Sequence, residues 1–161
     1  MTLNKAILFS TIKDRLLEKR LLYEAEMLAA QEEANYHKGA MESRYDTFKE
    51  EAQALKDGLA KQHSEVVSAL SKIAIVEYSM KEGANLSTKA RVGSIVKLLE
   101  NGNTDSIFNY CIFVNVGTVV VGDVEYITIG ADSPLGKALI GHEVGDEILF
   151  LGKTIEVLEL Y

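Results

Sequence analysis

The sequence predicts an α+β protein, in which an antiparallel α-helical coiled-coil hairpin precedes a small, mostly antiparallel β domain with one short helix. Two observations predict this class. Residues 1 to about 80 contain no proline and only the glycines Gly39 and Gly58, whereas the remainder contains ten glycines and Pro134, the single proline. The spacing of apolar residues changes at the same point, from a helical repeat to short alternating or continuous runs.

Two stripes of apolar residues predict the two helices of the hairpin. Steps of three and four residues alternate along the second stripe, which is the repeat of a coiled-coil seam, and the first stripe is a looser one of the same kind. The stricter, second stripe comprises Tyr45, Phe48, Ala52, Leu55, Leu59, Gln62, Val66, Ala69, Ile73 and Val76. The first comprises Phe9, Ile12, Leu16, Tyr23, Met27, Ala30 and Ala34, with Leu17 and Leu21 widening it. We therefore expect two long helices packed along these stripes.

The turn between the helices is placed at Lys38 and Gly39, because glycine readily adopts the left-handed conformation that ends a helix. The tip of the hairpin then spans residues 38–46. Each arm would hold about 33 to 36 residues and reach on the order of 50 Å. The hairpin domain is expected to cover residues 1–80, followed by a linker of residues 81–90, KEGANLSTKA, and a β domain of residues 91–161.

Short apolar runs separated by glycine-containing turns predict the strands of the β domain. These runs cover residues 93–99, 107–116, 118–121, 124–130, 147–152 and 154–160. The segment SPLGKALIG interrupts them with Ser133 as a helix N-cap, Pro134 at the first helical position and Gly141 after the last turn. That order of residues is typical of a short helix.

Charge and composition exclude several classes of function. A net charge of −7 argues against a surface that neutralises nucleic-acid phosphates, which needs clustered lysine and arginine. One cysteine, Cys111, excludes an internal disulfide and is expected to be a small buried apolar residue. The three histidines lack metal-ligand spacing, so we expect no metal in the isolated protein. With no signal-peptide pattern and no apolar run near ~18 residues, we expect a soluble, cytoplasmic protein without membrane contact.

The C-terminal motif carries a family resemblance. The segment SPLGKALIGHEVGDEI, followed by a glycine turn and TIEVLEL, resembles the C-terminal domain of bacterial transcript cleavage factors of the Gre family. The segment ARVGSIVKL, residues 90–98, is similar to the first strand of that domain, which in the family follows a helical hairpin. The resemblance is strong in residues and spacing at the C-terminus, and it concerns only the architecture in the hairpin.

The resemblance implies an FKBP-like β domain and a partner, bacterial RNA polymerase. The β domain would dock on the rim of the secondary channel through Asp132, Ser133, Pro134 and Leu135. The coiled coil would enter the channel, where acidic tip residues help to hold the second catalytic Mg²⁺ while the polymerase cleaves backtracked RNA. The protein would then be a monomer without an active site or cofactor of its own, and its contact with nascent RNA would be indirect.

The tip departs from the family pattern, which is Asp-x-x-Glu just after the tip glycine. Asp46 matches the second acid, but the first position falls on Ser43, with Glu42 one residue earlier. A competing alignment rests on EEANYH and would instead promote Glu32 and Glu33, with the tip near Ala29 and Ala30. In either alignment the acidic pair is altered, so both stimulation of cleavage and modulation without cleavage remain open.

Two other functions are weighed against this one. An FKBP-like domain could be a peptidyl-prolyl isomerase, which needs a deep, aromatic-lined pocket. The aromatic residues available for it are Phe108, Tyr110, Phe113, Tyr126, Phe150 and Tyr161, and the chain has no tryptophan. The third possibility is a coiled-coil interaction protein that oligomerises through its hairpin without acting on a polymerase.

Overall fold

The computed structural model describes residues 2–36, 42–81, 88–102 and 105–161, and of residues 2, 3, 42–48 and 81 it describes the backbone alone. Two long helices precede a six-stranded sheet with one short helix, which confirms the predicted fold class. In chain order the elements are α1 (Thr2–Tyr36), α2 (Glu42–Lys81), β1 (Ile95–Glu100), β2 (Ile107–Phe113), β3 (Thr118–Val121), β4 (Val124–Gly130), α3 (Pro134–Leu139), β5 (Glu147–Phe150) and β6 (Lys153–Leu160). No helix within the described ranges is both long and apolar enough to cross a membrane.

The chain forms two compact units whose borders lie inside the long helices. One unit consists of Lys13–Lys72, and the other combines Met1–Ile12 with Ile73–Tyr161. The change in composition predicts a domain boundary near residue 80. The packing instead divides the chain after Ile12 and again before Ile73. The difference arises because the first turns of α1 and the last turns of α2 pack with the sheet.

Within the unit of residues 13–72, four of the six described residues of the predicted α2 stripe are buried or half-buried. Leu59 and Val66 are buried and Ala52 is half-buried, as predicted. The intervening row is displaced by one residue at two positions, where Leu55 and Gln62 are exposed while Lys56 and His63 are half-buried; its third described member, Ala69, is buried as predicted. On α1, Leu16 and Ala30 are buried, and Tyr23, Met27 and Ala34 are half-buried.

Polar contacts explain the displaced row. The Lys56 ammonium donates to the side-chain oxygen of Gln31 at 2.5 Å, and His63 Nε2 lies 3.1 Å from a Glu24 carboxylate oxygen. Between these two contacts the residue number falls by seven on α1 and rises by seven on α2, so the helices run antiparallel with a heptad register. In the middle of this seam, the residues that face the other helix are therefore polar ones with a partner on that helix, and not the apolar residues that the repeat predicts.

The six strands form one sheet in the order β3-β4-β2-β1-β6-β5. Four of its five neighbouring pairs are antiparallel, but β2 and β4 are parallel, with Asn109 opposite Tyr126 and Cys111 opposite Thr128. The prediction of a mostly antiparallel sheet is therefore confirmed, with this pair as the parallel exception. Strand β3 lies at the edge of the sheet and forms a tight antiparallel hairpin with β4. The chain therefore reverses direction between β3 and β4, and β4 lies beside β2 and runs in the same direction as β2.

Both faces of the sheet are covered. On one face a core packs around the buried Leu139 of α3 and comprises Ala90, Val96, Leu98, Ile112, Ile148, Ile155 and Val157. The opposite face carries Phe113, whose ring packs edge-to-face on Phe9 of α1 with centroids 5.5 Å apart. Leu8, Phe9 and Ile12 are fully buried there. The start of α1 thus supplies a second apolar layer to the sheet.

The turn between β5 and β6 contains an unfavourable residue. Leu151 has a φ of 51° and is followed by Gly152 at 79°, so both central residues of this two-residue turn are left-handed. Such turns favour Asn-Gly, because asparagine tolerates this conformation better than leucine does. The Leu151 side chain is 87% exposed and gains little from packing.

We expect Leu151→Asn to stabilise the protein by about 1 kcal/mol, because asparagine adopts the left-handed conformation with less strain. The substitution loses almost no buried apolar surface, since Leu151 is exposed. The thermal midpoint should rise by about 2–4 °C. Leu149→Asn is the matched control, because Leu149 is 78% exposed but lies within strand β5. Equal effects of the two substitutions on thermal melting would show that the gain comes from reduced surface hydrophobicity and not from the turn.

Candidate functional site

The predicted docking residues form one corner where β4 leads into α3. The Ser133 hydroxyl accepts a hydrogen bond from the Gly136 amide at 3.0 Å and donates one to the Gly130 carbonyl at 2.6 Å. Pro134 occupies the first helical turn, where its missing N–H costs nothing. One hydroxyl therefore caps the helix and ties it to the end of the strand.

Glycine at position 136 lets the helix approach the strand closely. A side chain at Gly136 would overlap the carbonyl oxygen of Gly130, and one at Gly130 would lie 2.8 Å from a carboxylate oxygen of Asp132. The corner therefore has little freedom to change shape. Gly141, with a φ of 94°, follows the helix in the position that sequence predicts for its end.

The four docking candidates differ in what they offer to a partner. Asp132 and Pro134 are exposed, and Ser133 is half-buried with its hydroxyl engaged in two hydrogen bonds. Leu135 is half-buried and packs against the core around Leu139. The Asp132 carboxylate and the rigid Pro134 ring thus form the accessible part of the corner, while the Leu135 side chain packs on the core beneath it.

The tip candidates lie at the start of α2. Glu42, Ser43 and Asp46 belong to its first two turns, and their side chains fall outside the described residues, as do Lys38 and Gly39 altogether. The alternative candidates Glu32 and Glu33 are exposed near the end of α1. Helix α1 continues without a turn through Ala29 and Ala30 to Tyr36, and Ala30 is buried.

The aromatic residues considered for an isomerase pocket are divided between the two faces of the sheet. Tyr110 and Phe150 pack against the core beside α3, and the Phe108 ring lies 6.3 Å from that of Tyr110. Phe113 packs instead against Phe9 on the opposite face. Because Tyr126 lies level with Asn109, which alternates with Tyr110, it also belongs to the opposite face.

A cluster that the sequence analysis did not single out follows α3. His142 Nδ1 lies 3.0 Å from a carboxylate oxygen of Asp146, and the same carboxylate accepts the Glu143 amide at 2.9 Å. The amide and the imidazole hold the pKa of Asp146 below its usual value. In the sequence, the spacing of four residues between the histidine and the aspartate of HEVGD is the pattern that could have predicted this contact. This cluster fixes the loop that leads from α3 into β5.

Cys111 and Lys5 are buried on the sheet face that carries Phe113. Cys111 is fully buried, as the sequence predicts, and burial raises the pKa of its thiol to about 12 although the Lys5 charge opposes this. Burial likewise lowers the pKa of Lys5. Among the described residues no group of three or more His, Cys, Asp or Glu side chains could hold a metal ion.

Comparison with known proteins gives structural likenesses alone. No protein-family model matches the sequence, and no curated protein sequence matches it. Among solved structures it is similar to the GreA factor homolog 1 (Gfh1) of Thermus thermophilus, at 19% identity and a TM-score of 0.35, covering 92% of this chain and 94% of that one. It is also similar to Thermus aquaticus Gfh1, at 18% identity and a TM-score of 0.35, covering 92% of both chains.

We expect Ser133→Ala to destabilise the β domain by about 1–2 kcal/mol, because it removes the helix cap and the hydrogen bond to Gly130. Ser133→Thr keeps the hydroxyl and should retain most of that stability. Ser71→Ala is a control, since its hydroxyl bonds only the Val67 carbonyl on the exposed side of α2. Urea unfolding measures all three, and a Ser133→Ala midpoint equal to that of Ser71→Ala would contradict the capping role.

Proposed function

We propose that this protein binds bacterial RNA polymerase at the secondary channel and acts there through the tip of its helical hairpin. The β domain docks through the corner formed by Asp132, Ser133, Pro134 and Leu135. The tip then either stimulates cleavage of backtracked RNA or modulates the polymerase without cleavage. In this proposal the catalytic site belongs to the polymerase, and the protein works as a monomer.

The corner at α3 is the observation that carries the proposal. Its residues are those through which the resembled family meets the polymerase, and here they form a rigid, partly exposed surface. Asp132 and Pro134 are accessible, while Ser133 and Gly136 hold them in place. A preformed surface of this kind loses little conformational entropy on binding, which favours docking.

The hairpin supports the second half of the proposal. Its helices run antiparallel with a heptad register, and the predicted acidic residues Glu42 and Asp46 lie in the first two turns of α2. Mg²⁺ prefers hard oxygen ligands such as carboxylates, and a second metal stabilises both the attacking and the leaving oxygen in phosphoryl transfer. A carboxylate delivered to the polymerase could therefore supply a ligand that the metal lacks.

The test separates docking from tip function. Immobilised protein is incubated with bacterial core RNA polymerase, and bound polymerase is measured for wild type, Asp132→Ala and Pro134→Ala. We expect each substitution to weaken binding several-fold. Glu147→Gln is the matched control, because Glu147 alternates with Ile148, which faces the core beside α3, and so lies on the opposite face.

A stalled, backtracked transcription complex tests the tip. If the protein stimulates cleavage, Asp46→Ala or Glu42→Ala should reduce the release of short RNA by at least about tenfold while leaving polymerase binding intact. If wild type binds but releases no short RNA, the cleavage version fails and modulation remains. Absence of any binding to the polymerase would overturn both versions.

A further inference from the structure

A groove at the start of the parallel strands β2 and β4 combines apolar and acidic side chains. Its volume is about 420 Å³, within the range of about 300–1,000 Å³ typical of ligand sites. The lining residues are Ile107, Phe108, Asn109, Asp123, Val124, Glu125 and Ile127. None of these residues, all within the described ranges, is basic. The groove is separate from the α3 corner, since no residue lines both.

The strand register places an aromatic ring beside a carboxylate. Asn109 lies opposite Tyr126, so the preceding residues, Phe108 and Glu125, are neighbours on the same face of the two strands. The Phe108 side chain is 37% exposed, and its ring also packs near that of Tyr110. One side of the ring is thus supported by the domain while part of it stays accessible.

Within the part of the chain that the structure describes, the acidic side chains of the groove form no salt bridge. Asp123 lies in the turn between β3 and β4, and Glu125 follows in β4; both are exposed. Among the described residues no lysine or arginine pairs with either carboxylate. The Asn109 amide instead donates to the main-chain carbonyl of Glu125 at 3.3 Å, which fixes the strand and leaves the carboxylate available.

We propose that this groove is an interaction surface for a protein segment that presents an arginine followed by an apolar residue. A planar guanidinium can stack on the Phe108 ring and donate hydrogen bonds to the carboxylates of Asp123 and Glu125. The neighbouring apolar side chain then packs on Ile127, which lies on the same face as Phe108 and Glu125. A nucleic acid would place phosphates against these two carboxylates, so charge complementarity favours a basic peptide.

The proposal does not depend on binding to RNA polymerase, and its test uses peptides alone. A random heptapeptide library displayed on phage is selected on the full-length protein. We expect enrichment of arginine followed by an apolar residue, compared with selection on the Asp123→Asn, Glu125→Gln double variant. Enrichment of acidic peptides, or the same peptides on both proteins, would overturn the proposal.

A selected peptide is then synthesised with arginine, lysine or citrulline, and its affinity is measured by chemical-shift titration of the labelled protein. Citrulline keeps the shape of arginine without the charge and should bind about fivefold more weakly. Glu125→Gln should weaken the arginine peptide by a similar factor, and Phe108→Leu should do so by removing the ring. Glu147→Gln, on another strand, should leave the affinity unchanged.

The titration also identifies the location and the class of ligand. Shifted resonances should belong to the groove residues named above. Equal affinity for the arginine and citrulline peptides, shifts elsewhere on the protein, or no binding at all would contradict the proposal. Parallel titrations with single-stranded RNA and with Mg²⁺ should give no shifts in the groove. Saturable binding of RNA or of Mg²⁺ to the groove would also overturn the proposal.

Discussion

The packing of the first turns of α1 on the sheet is the interaction on which the rest of the structure depends. Lys5, Leu8, Phe9 and Ile12 follow a spacing of three, four and seven residues from the first, so they share one face of the helix. That face is buried, and Phe9 meets Phe113 of β2 edge-to-face. Burying one such phenylalanine contributes about 1.5–3 kcal/mol. Contact between the start of the chain and the sheet thus makes them one compact unit.

This layer explains why the sheet tolerates apolar residues on both faces. The core beside α3 covers one face, and the first turns of α1 with the last turns of α2 cover the other, where Val76 of α2 lies against Gly93 just before β1. A side chain at Gly93 would press on Val76, so the close approach needs glycine as well as its φ of 90°. With both faces occupied, the α3 corner and the groove are the two surfaces that we propose for partners.

Much of the β domain could be predicted because its signals are local. Thr118–Val121 and Val124–Gly130 form strands with the predicted bounds, since a Gly-Asp turn separates two short apolar runs. Ser133 and Pro134 likewise predict the start of α3 through capping chemistry that involves only neighbouring residues. Local turn chemistry of this kind is largely independent of the remainder of the fold.

Features that depend on distant partners escaped prediction. Lys56 and His63 lie in the helical seam because Gln31 and Glu24 lie opposite them on the other helix. A repeat of apolar residues within one helix cannot identify such polar partners on the other helix. The parallel pairing of β2 with β4 also depends on strand order and not on the residues of either strand. The groove brings Phe108 to Glu125 through that same pairing, so only the register reveals it.

Labelling of Cys111, the single cysteine, tests the central packing directly. The residue lies on the covered face, two positions before Phe113, and is fully buried. Its reaction with a thiol reagent should be strongly protected in native buffer and should become fast only at the urea concentration that unfolds the sheet. Phe9→Ala, which costs about 3–5 kcal/mol, should accelerate native labelling at least about tenfold. Rapid labelling of the native wild type, or an unchanged rate in Phe9→Ala, would contradict the account.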